Sequence, residues 1–535
     1  MAAQPDAARA GAEMFALGGN AVDAAVATGF ALAVVEPTMN GLGGRSQLLL
    51  RTADGRFQSF QGMTEIPAAW VAPKEPVRDG YGVVATPGVV ANLARLHAEQ
   101  GSLPWATVLA PAIRLAEHGF ELLPGEAARH AYALEAIRDD PGFRANFLKP
   151  DGSTYAAGER FRQPALARTL RRLAEAGGED FYRGGIAAEI AADMARNGGF
   201  VSADDLAAYE AEDGRLVHLA YRGHEVHSMA APGGGGLVVR ALAILARFDR
   251  ASMGEAAWAA VVNQAIALAL EGRTEDPGEQ DPARLTDDAW VDAAVRSIRV
   301  PALSLDRAAG TERGSSSPAA TLAFDWTGST WSSEPHHTTH FTTADCAGTV
   351  VSITQTLGPV FGSKVVTPEL GFAYASTMGA YLASAQQVPG TRPRTTIAPT
   401  IVTRDGEVVL VLGAAGGERI LSGIVQVLSR VIDEGRSLSD ALAAPRVHPF
   451  RAETGNGDRV VDGLQMHVET TPGEGWPEEV LDGWTRAGFT VHPNEARGAF
   501  SRVHAIARSE RGWIGGADPD WEGIALPAGG VRCPD

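Results

Sequence analysis

Apolar residues recur with a helical period over residues 6–17, and the segment runs into Gly18-Gly19, a helix stop. Asn20 is placed to cap a second helix, AVDAAVATGFALAVVEP, which closes at Pro37. Apolar residues surround that helix on nearly every side, so it is expected to be buried. The rhythm then changes to alternation: SQLLLRT and RFQSFQ read as two strands joined at the Asp54-Gly55 turn. From about residue 90 to 275 helical spacing returns, as in QPALARTLRRLAEAG and GGIAAEIAADMARNGG. A short strand, YRGHEVHSM, and a glycine run from Pro232 to Gly236 interrupt it. Residues 273–335 are polar and turn-rich and read as an exposed connection. Beyond them the pattern is β again. HFTTADCAGTVVSITQTL turns around Asp345 to Gly348, APTIVTRDGEVVLVLGAAGG turns at Arg404-Asp405-Gly406, and a helix, ILSGIVQVLSRVIDEG, follows. Strands in both halves with helices outside them predict a layered α/β (α+β) body with one shared core.

Composition narrows the function classes. A chain of 535 residues is long enough to bury a substantial core, and 45% hydrophobic with 21% charged residues is ordinary for a globular protein. The balance of 46 basic against 64 acidic residues, net −18, opposes binding to nucleic acid or to anionic lipid, and no basic patch offsets it. Two cysteines, Cys346 and Cys533, leave room for one bridge and none for a disulfide framework or a cysteine-based metal site. The start, MAAQPDAARAGAEMF, lacks a basic n-region and apolar core, and nowhere is there an apolar run of about 20 residues. A soluble, cytoplasmic protein that handles small molecules is the expectation, with no nucleic-acid or membrane partner.

The stretch EPHHTTHF, residues 334–341, admits three readings. Threonines are β-formers, so TTHFTT is half of a hairpin and nothing more. His336, His337 and His340 form a metal cluster, although their spacing suits a helix and the segment reads as a strand. Or the chain is cut before Thr338. A threonine hydroxyl is a weak nucleophile, and a newly exposed α-amino group, with a pKa of about 8, provides a base on the same residue. With a turn at 345–348, Thr338 falls opposite residue 355 or 356, within reach of the Thr356 hydroxyl. Gly416-Gly417, after the strand VVLVLGAA and before a helix, offers backbone N–H groups to an oxyanion, or else serves only a tight turn.

These residues, taken with GGNAVDAAVA (18–27), LGG (42–44), ATPGVVA (85–91), LAEHGF (115–120), DFYRG (180–184), GGFVSADDLAAY (198–209), TQTL (354–357), APTIV (398–402) and GAAGGERI (413–420), resemble the γ-glutamyltranspeptidase family of N-terminal nucleophile hydrolases. The motifs stand in the family's order over nearly the whole chain. The resemblance implies a four-layer αββα fold made as one precursor. Self-cleavage between His337 and Thr338 would give a large segment, 1–337, and a small one, 338–535. A pair of such heterodimers is a further expectation. It makes Thr338 nucleophile and base, Thr356 the supporting hydroxyl and Gly416 and Gly417 the oxyanion donors, and it calls for no cofactor or metal.

The pocket departs from the family pattern. Gln61 stands where γ-glutamyl enzymes hold the substrate α-carboxylate with arginine. Thr395 and Thr396, after Arg392-Pro393-Arg394, replace paired serines, Gly358 replaces an asparagine, and YASTMGAY lacks the glutamine and aspartate that receive the α-amino group. Each missing charge-assisted contact forfeits about 1.5–3 kcal/mol. Arg45, in GLGGR, and Arg394 are candidate partners for an acyl-chain carboxylate, unless they serve structural ion pairs. The expected activity is therefore amide hydrolysis or acyl transfer through a threonine ester, on a dicarboxylic monoamide or a cephalosporin-type side chain. Its rivals are γ-glutamyl transfer with glutathione hydrolysis, and an uncleaved, silent binding protein.

Overall fold

The computed structural model describes residues 1–271, 285–303, 337–379, 387–453, 459–510 and 512–527. His336, Cys533, the end of YASTMGAY and most of 273–335 lie outside these residues. The chain forms two compact units, one of Met1–Gly214, Pro335–Thr395 and Glu522–Asp535, the other of Arg215–Glu334 and Thr396–Trp521. Each unit draws on chain from both sides of Thr338.

The first unit begins with α1 (Pro5–Ala16) and α2 (Ala21–Val35), as the periodicity predicts. Asn20 accepts from the Val22 and Asp23 amides at 2.9 and 3.0 Å, and Asp23 accepts from the Asn20 amide at 2.9 Å, a reciprocal cap worth about 1 kcal/mol. Every residue of α2 is buried. Strands β1 (Arg45–Arg51) and β2 (Phe57–Gly62) form the expected hairpin, with Gly55 at φ +87° in its turn. α3 (Val89–Gln100) follows. Short β3 (Phe120–Glu121) and β4 (Arg160–Phe161) pair with each other, and β5 (Glu212–Asp213) adds to β2.

In the second unit, β6 (Leu216–Tyr221) and β7 (His224–Met229) pair through Arg222 and Gly223, both at positive φ. YRGHEVHSM is thus a turn plus the second strand of a hairpin: two consecutive left-handed residues make the turn whose twist suits antiparallel strands. The helix Asp288–Ser297, capped by the Asp287 side chain, lies within the stretch expected to be only connection. Its apolar face is narrow, with Val291 and Ala294 as its buried residues, and its polar flanks mask it in the sequence.

Back in the first unit, β8 (His337–Ala344) and β9 (Val350–Gly358) form the hairpin turning at 345–348. The five-stranded antiparallel sheet has the order β5-β2-β1-β9-β8, so strands from both sides of Thr338 are hydrogen-bonded in one sheet. Period-two alternation gives it two unlike faces. Leu48, Leu50, Ile353 and Phe341 lie on one, and α2 packs there so closely that a Cβ on Gly29 would sit 3.1 Å from the Phe341 ring. Thr338, Thr356 and Arg45 lie on the other.

In the second unit β10 (Thr400–Arg404) and β11 (Glu407–Ala415) turn at Asp405 and Gly406, both at positive φ. They are followed by β12 (Val447–Glu453), β13 (Arg459–Glu469), β14 (Thr490–Asn494), β15 (Arg502–Ser509) and β16 (Gly512–Ala517). The sheet order there is β16-β15-β11-β10-β7-β6, beside a smaller sheet β12-β13-β14.

Candidate active site

Thr338 sits at an irregularity that the even alternation of β8 does not foretell. His337 pairs with Gly358, but the next pair is Thr339 with Gln355, so Thr356 and Leu357 together oppose Thr338. Such a bulge re-aims a side chain and is common beside reacting groups. The Thr338 Oγ1 donates to Thr356 Oγ1 at 3.1 Å, with both residues buried. Gly358, at φ +89°, turns its N–H back onto the same Thr356 oxygen at 2.9 Å. The Thr356 hydroxyl is held by two donors, and the backbone angle that allows this suits glycine. Gly358 thus serves through its backbone.

The end of β9 is anchored from below. Leu357 and Phe361 donate their amides to the carbonyls of Met39 and Thr38 at 3.0 and 2.8 Å. Thr38 in turn gives its amide and hydroxyl to the Glu126 carboxylate at 3.0 and 2.8 Å, and Arg129 donates to the Thr38 hydroxyl at 2.9 Å. Glu126, Arg129 and His130 are fully buried. Burial alone would raise the Glu126 carboxyl, but Arg129 and His130 outweigh it and hold the group at about 2. The sequence reading missed this network, because Glu126 and Arg129, three residues apart in a helix, look like an ordinary surface pair.

Arg45 is directly opposite Thr356 in the β1–β9 ladder, so its side chain leaves the sheet on the face that carries Thr356. Two residues along, a row crosses all five strands: His340, Thr354, Gln47, Gln61 and Glu212 are successive cross-strand partners. His340 Nδ1 bonds the Thr354 hydroxyl at 2.8 Å. Among the described residues no group of histidine, cysteine and carboxylate side chains is disposed to hold a metal ion. Gln61 donates Nε2 to Glu212 at 2.7 Å. Arg392 closes the same edge: it donates to Glu65 at 3.0 Å and to the Glu210 carbonyl at 2.6 Å, lies 3.4 Å from Glu212, and stacks over the Tyr209 ring. Thr377, in the segment lacking the expected carboxylate, bonds Thr64 at 2.8 Å. Arg394 and Thr395 are half-buried at the end of the first unit's segment Pro335–Thr395.

The glycine pair lies in the second unit, where β11 meets the helix Arg419–Ile432. Gly416 has φ +131° and Gly417 φ +60°. A Cβ on Gly416 would stand 3.0 Å from Ser501 Cα, so the turn requires glycine there. Their carbonyls start the helix by accepting from Arg419 and Ile420, and Gly417 also accepts the Thr396 hydroxyl at 2.6 Å. Among the described residues neither glycine N–H donates to a protein acceptor. Two amides at a helix start suit developing negative charge.

The family model for gamma-glutamyltranspeptidase matches residues 7–528. The chain is 31% identical over 472 residues to the glutathione hydrolase proenzyme of Escherichia coli K12, covering 83% of this chain and 79% of that protein. It is 33% identical over 478 residues to the acylase ACY 1 proenzyme of Pseudomonas sp. strain SE83, covering 83% and 81%. The crystal structure of a cephalosporin acylase from Bacillus halodurans superposes with a TM-score of 0.82 at 28% identity, over 97% of this chain and 94% of that one. The fold is that of the N-terminal nucleophile hydrolases. The chain belongs to the γ-glutamyltranspeptidase family and is an amidohydrolase/acyltransferase of it.

Proposed function

We propose that Thr338 is the nucleophile and that it is released by cleavage of the His337–Thr338 peptide. The observation that carries this is the Thr338–Thr356 hydroxyl pair at 3.1 Å, set by a bulge and fixed by the Gly358 amide. In the precursor the Thr338 hydroxyl attacks the His337 carbonyl carbon, the C–N bond breaks as the ester forms and frees the Thr338 α-amine, and water then opens the ester to the His337 carboxylate and the Thr338 hydroxyl. That amine, with an ordinary pKa of about 8, then takes the hydroxyl proton when an amide substrate is attacked. Thr356 orients the oxygen. The family resemblance gives the Gly416 and Gly417 amides the role of oxyanion donors, and water or an amine resolves the acyl ester. Proenzyme names among the relatives support the cleavage step.

The acyl group lacks an α-ammonium in this proposal, because Thr377 and its neighbours supply no carboxylate to it and Gln61 brings no cation to an α-carboxylate. A dicarboxylic monoamide or a cephalosporin side chain fits better than glutathione, with Arg45, opposite Thr356, facing the distal carboxylate. The family resemblance assigns Thr395 and Thr396 to substrate binding, and Arg394 directly precedes them in the chain.

Denaturing electrophoresis tests it. Wild type should separate into two chains, the smaller beginning at Thr338, and should release amine from an acyl anilide. Thr338→Ala should remain one chain with no activity. A wild-type chain that stays intact, or an active Thr338→Ala variant, removes Thr338 from the mechanism.

A further inference from the structure

Gln47 is fully buried in β1, and neither its Nε2 nor its Oε1 has a hydrogen-bond partner among the described residues. A buried amide with both ends unmet costs free energy, and native proteins retain one where something else fills it. Its place is specific. It lies two residues from Arg45 on the same face of β1, and is the diagonal cross-strand neighbour of Thr356, roughly 7–8 Å away between Cα atoms. Beside it, Gln61 is also buried, and its Oε1 is likewise unpartnered. Gln61 Nε2 is the atom that faces the Glu212 carboxylate, which leaves Oε1 over.

We propose that Gln47 and Gln61 form a polar subsite for the acyl chain, and that this subsite takes a neutral group bearing both N–H and C=O, a carboxamide. The unfilled atoms are one amide N–H₂ and two amide oxygens, so the subsite offers more acceptors than donors. A carboxylate at this pair would meet two carbonyl oxygens and, behind them, Glu212, so the carboxylate assigned to Arg45 stays at Arg45 and the carboxamide is what the Gln47–Gln61 pair takes. A carboxamide N–H₂ would meet those oxygens and return its own carbonyl to Gln47 Nε2. Gln355 shows the contrast: its amide is also unpartnered, but it lies on the opposite face of the sheet from Thr356, against Gly29 of α2. The inference rests on Thr338 carrying the acyl group and adds which chemistry the chain presents two residues along the sheet.

The experiment compares three p-nitroanilides of the cleaved enzyme: an acyl chain ending in a carboxamide, the same length ending in a methyl group, and the same length ending in a carboxylate. Wild type should favour the carboxamide over the methyl-ended chain by at least about tenfold in kcat/KM, chiefly through KM, while the carboxylate-ended chain, which Arg45 faces, should change by less than about twofold in Gln47→Met. Gln47→Met should bring that ratio below about threefold while raising Tm by a few degrees, because an unmet buried amide is replaced by a thioether of similar volume. A wild-type ratio near one, or a ratio that Gln47→Met does not move, overturns the subsite and leaves a water-filled gap. If the variant fails to fold, the wild-type ratio decides alone. If no anilide turns over, Thr338 chemistry is what fails. The subsite is then read separately by thermal-shift titration with glutaramic acid against valeric acid: a wild-type preference for glutaramic acid that Gln47→Met abolishes supports it, and equal binding overturns it.

Discussion

The two faces of the five-stranded sheet are both buried, yet they are built from different residues. On the helix-covered face Leu48, Leu50, Val351, Ile353 and Phe341 pack against α2 and α3. On the other, the successive positions are Thr338, His340 and Thr342, then Ser352, Thr354 and Thr356, then Arg45 and Gln47, with Gln61 beyond. Burial is the same and the chemistry is not. The apolar face supplies the transfer free energy that holds the sheet, about 25 cal/mol per Å² of apolar surface. The polar face holds hydroxyls, an arginine and amides out of bulk water, where their hydrogen bonds are stronger and their unmet atoms are costly. The division is one of predominance: Ser46, Gln355, Thr339 and Thr343 also lie on the helix-covered face, and Leu49 lies on the other.

That division can be broken from either side. Phe341→Ala, on the helix face three residues from Thr338, should cost about 3–5 kcal/mol in denaturant unfolding, as for other buried aromatic truncations. Thr338→Ala should cost little stability and all activity. If the two variants lose similar stability, the faces do not divide their tasks as described.

The anchor beneath β9 should show itself in acid. Glu126 is held at about 2 against an ordinary value of 4.5, so its contribution is present above 4.5 and disappears as pH falls through about 2. The gap corresponds to roughly 3 kcal/mol at 1.36 kcal/mol per unit. Glu126→Gln should flatten that part of the stability curve measured by urea midpoints between pH 5 and 2. A parallel curve for wild type and variant would remove the carboxylate from the anchor.

Gly358→Ala sharpens the comparison with the smallest change. The residue sits at φ +89°, so alanine introduces strain of about 1–2 kcal/mol and draws the N–H away from Thr356. Activity should fall by about tenfold, the value of one hydrogen bond, and self-cleavage should slow. Unchanged kinetics beside a lowered Tm would make Gly358 a turn residue only.

Much of this was legible from the sequence. The period of residues 6–17 and 21–37, the Asp54-Gly55 and Asp405-Gly406 turns and the Thr338–Thr356 pairing follow from rules that act over a few residues: side-chain alternation, capping and left-handed turn residues. The motifs in order carried the family. What escaped reading was whatever depends on distant chain coming together. The helix Asp288–Ser297 has too narrow an apolar stripe to stand out between polar flanks. Glu212, Glu65 and Arg392 meet at one sheet edge although up to 327 residues separate them. Gln47, an unremarked polar residue in SQLLLRT, gains meaning only when β9 places Thr354 and Thr356 beside it.

The sequence by itself singled out the residues of the proposed chemistry: a threonine with an upstream peptide, a second threonine on the partner strand and a glycine pair before a helix. The tertiary structure decided how those of the first unit are aimed. The bulge at Thr338 is a difference of one residue in pairing, invisible in either strand alone, and the buried Glu126–Arg129 anchor exists because folding removes both charges from water together. Local periodicity is set by backbone geometry and can be read in order along the chain. Register, desolvation and unmet hydrogen bonds are properties of pairs, and they exist only once the partners have met.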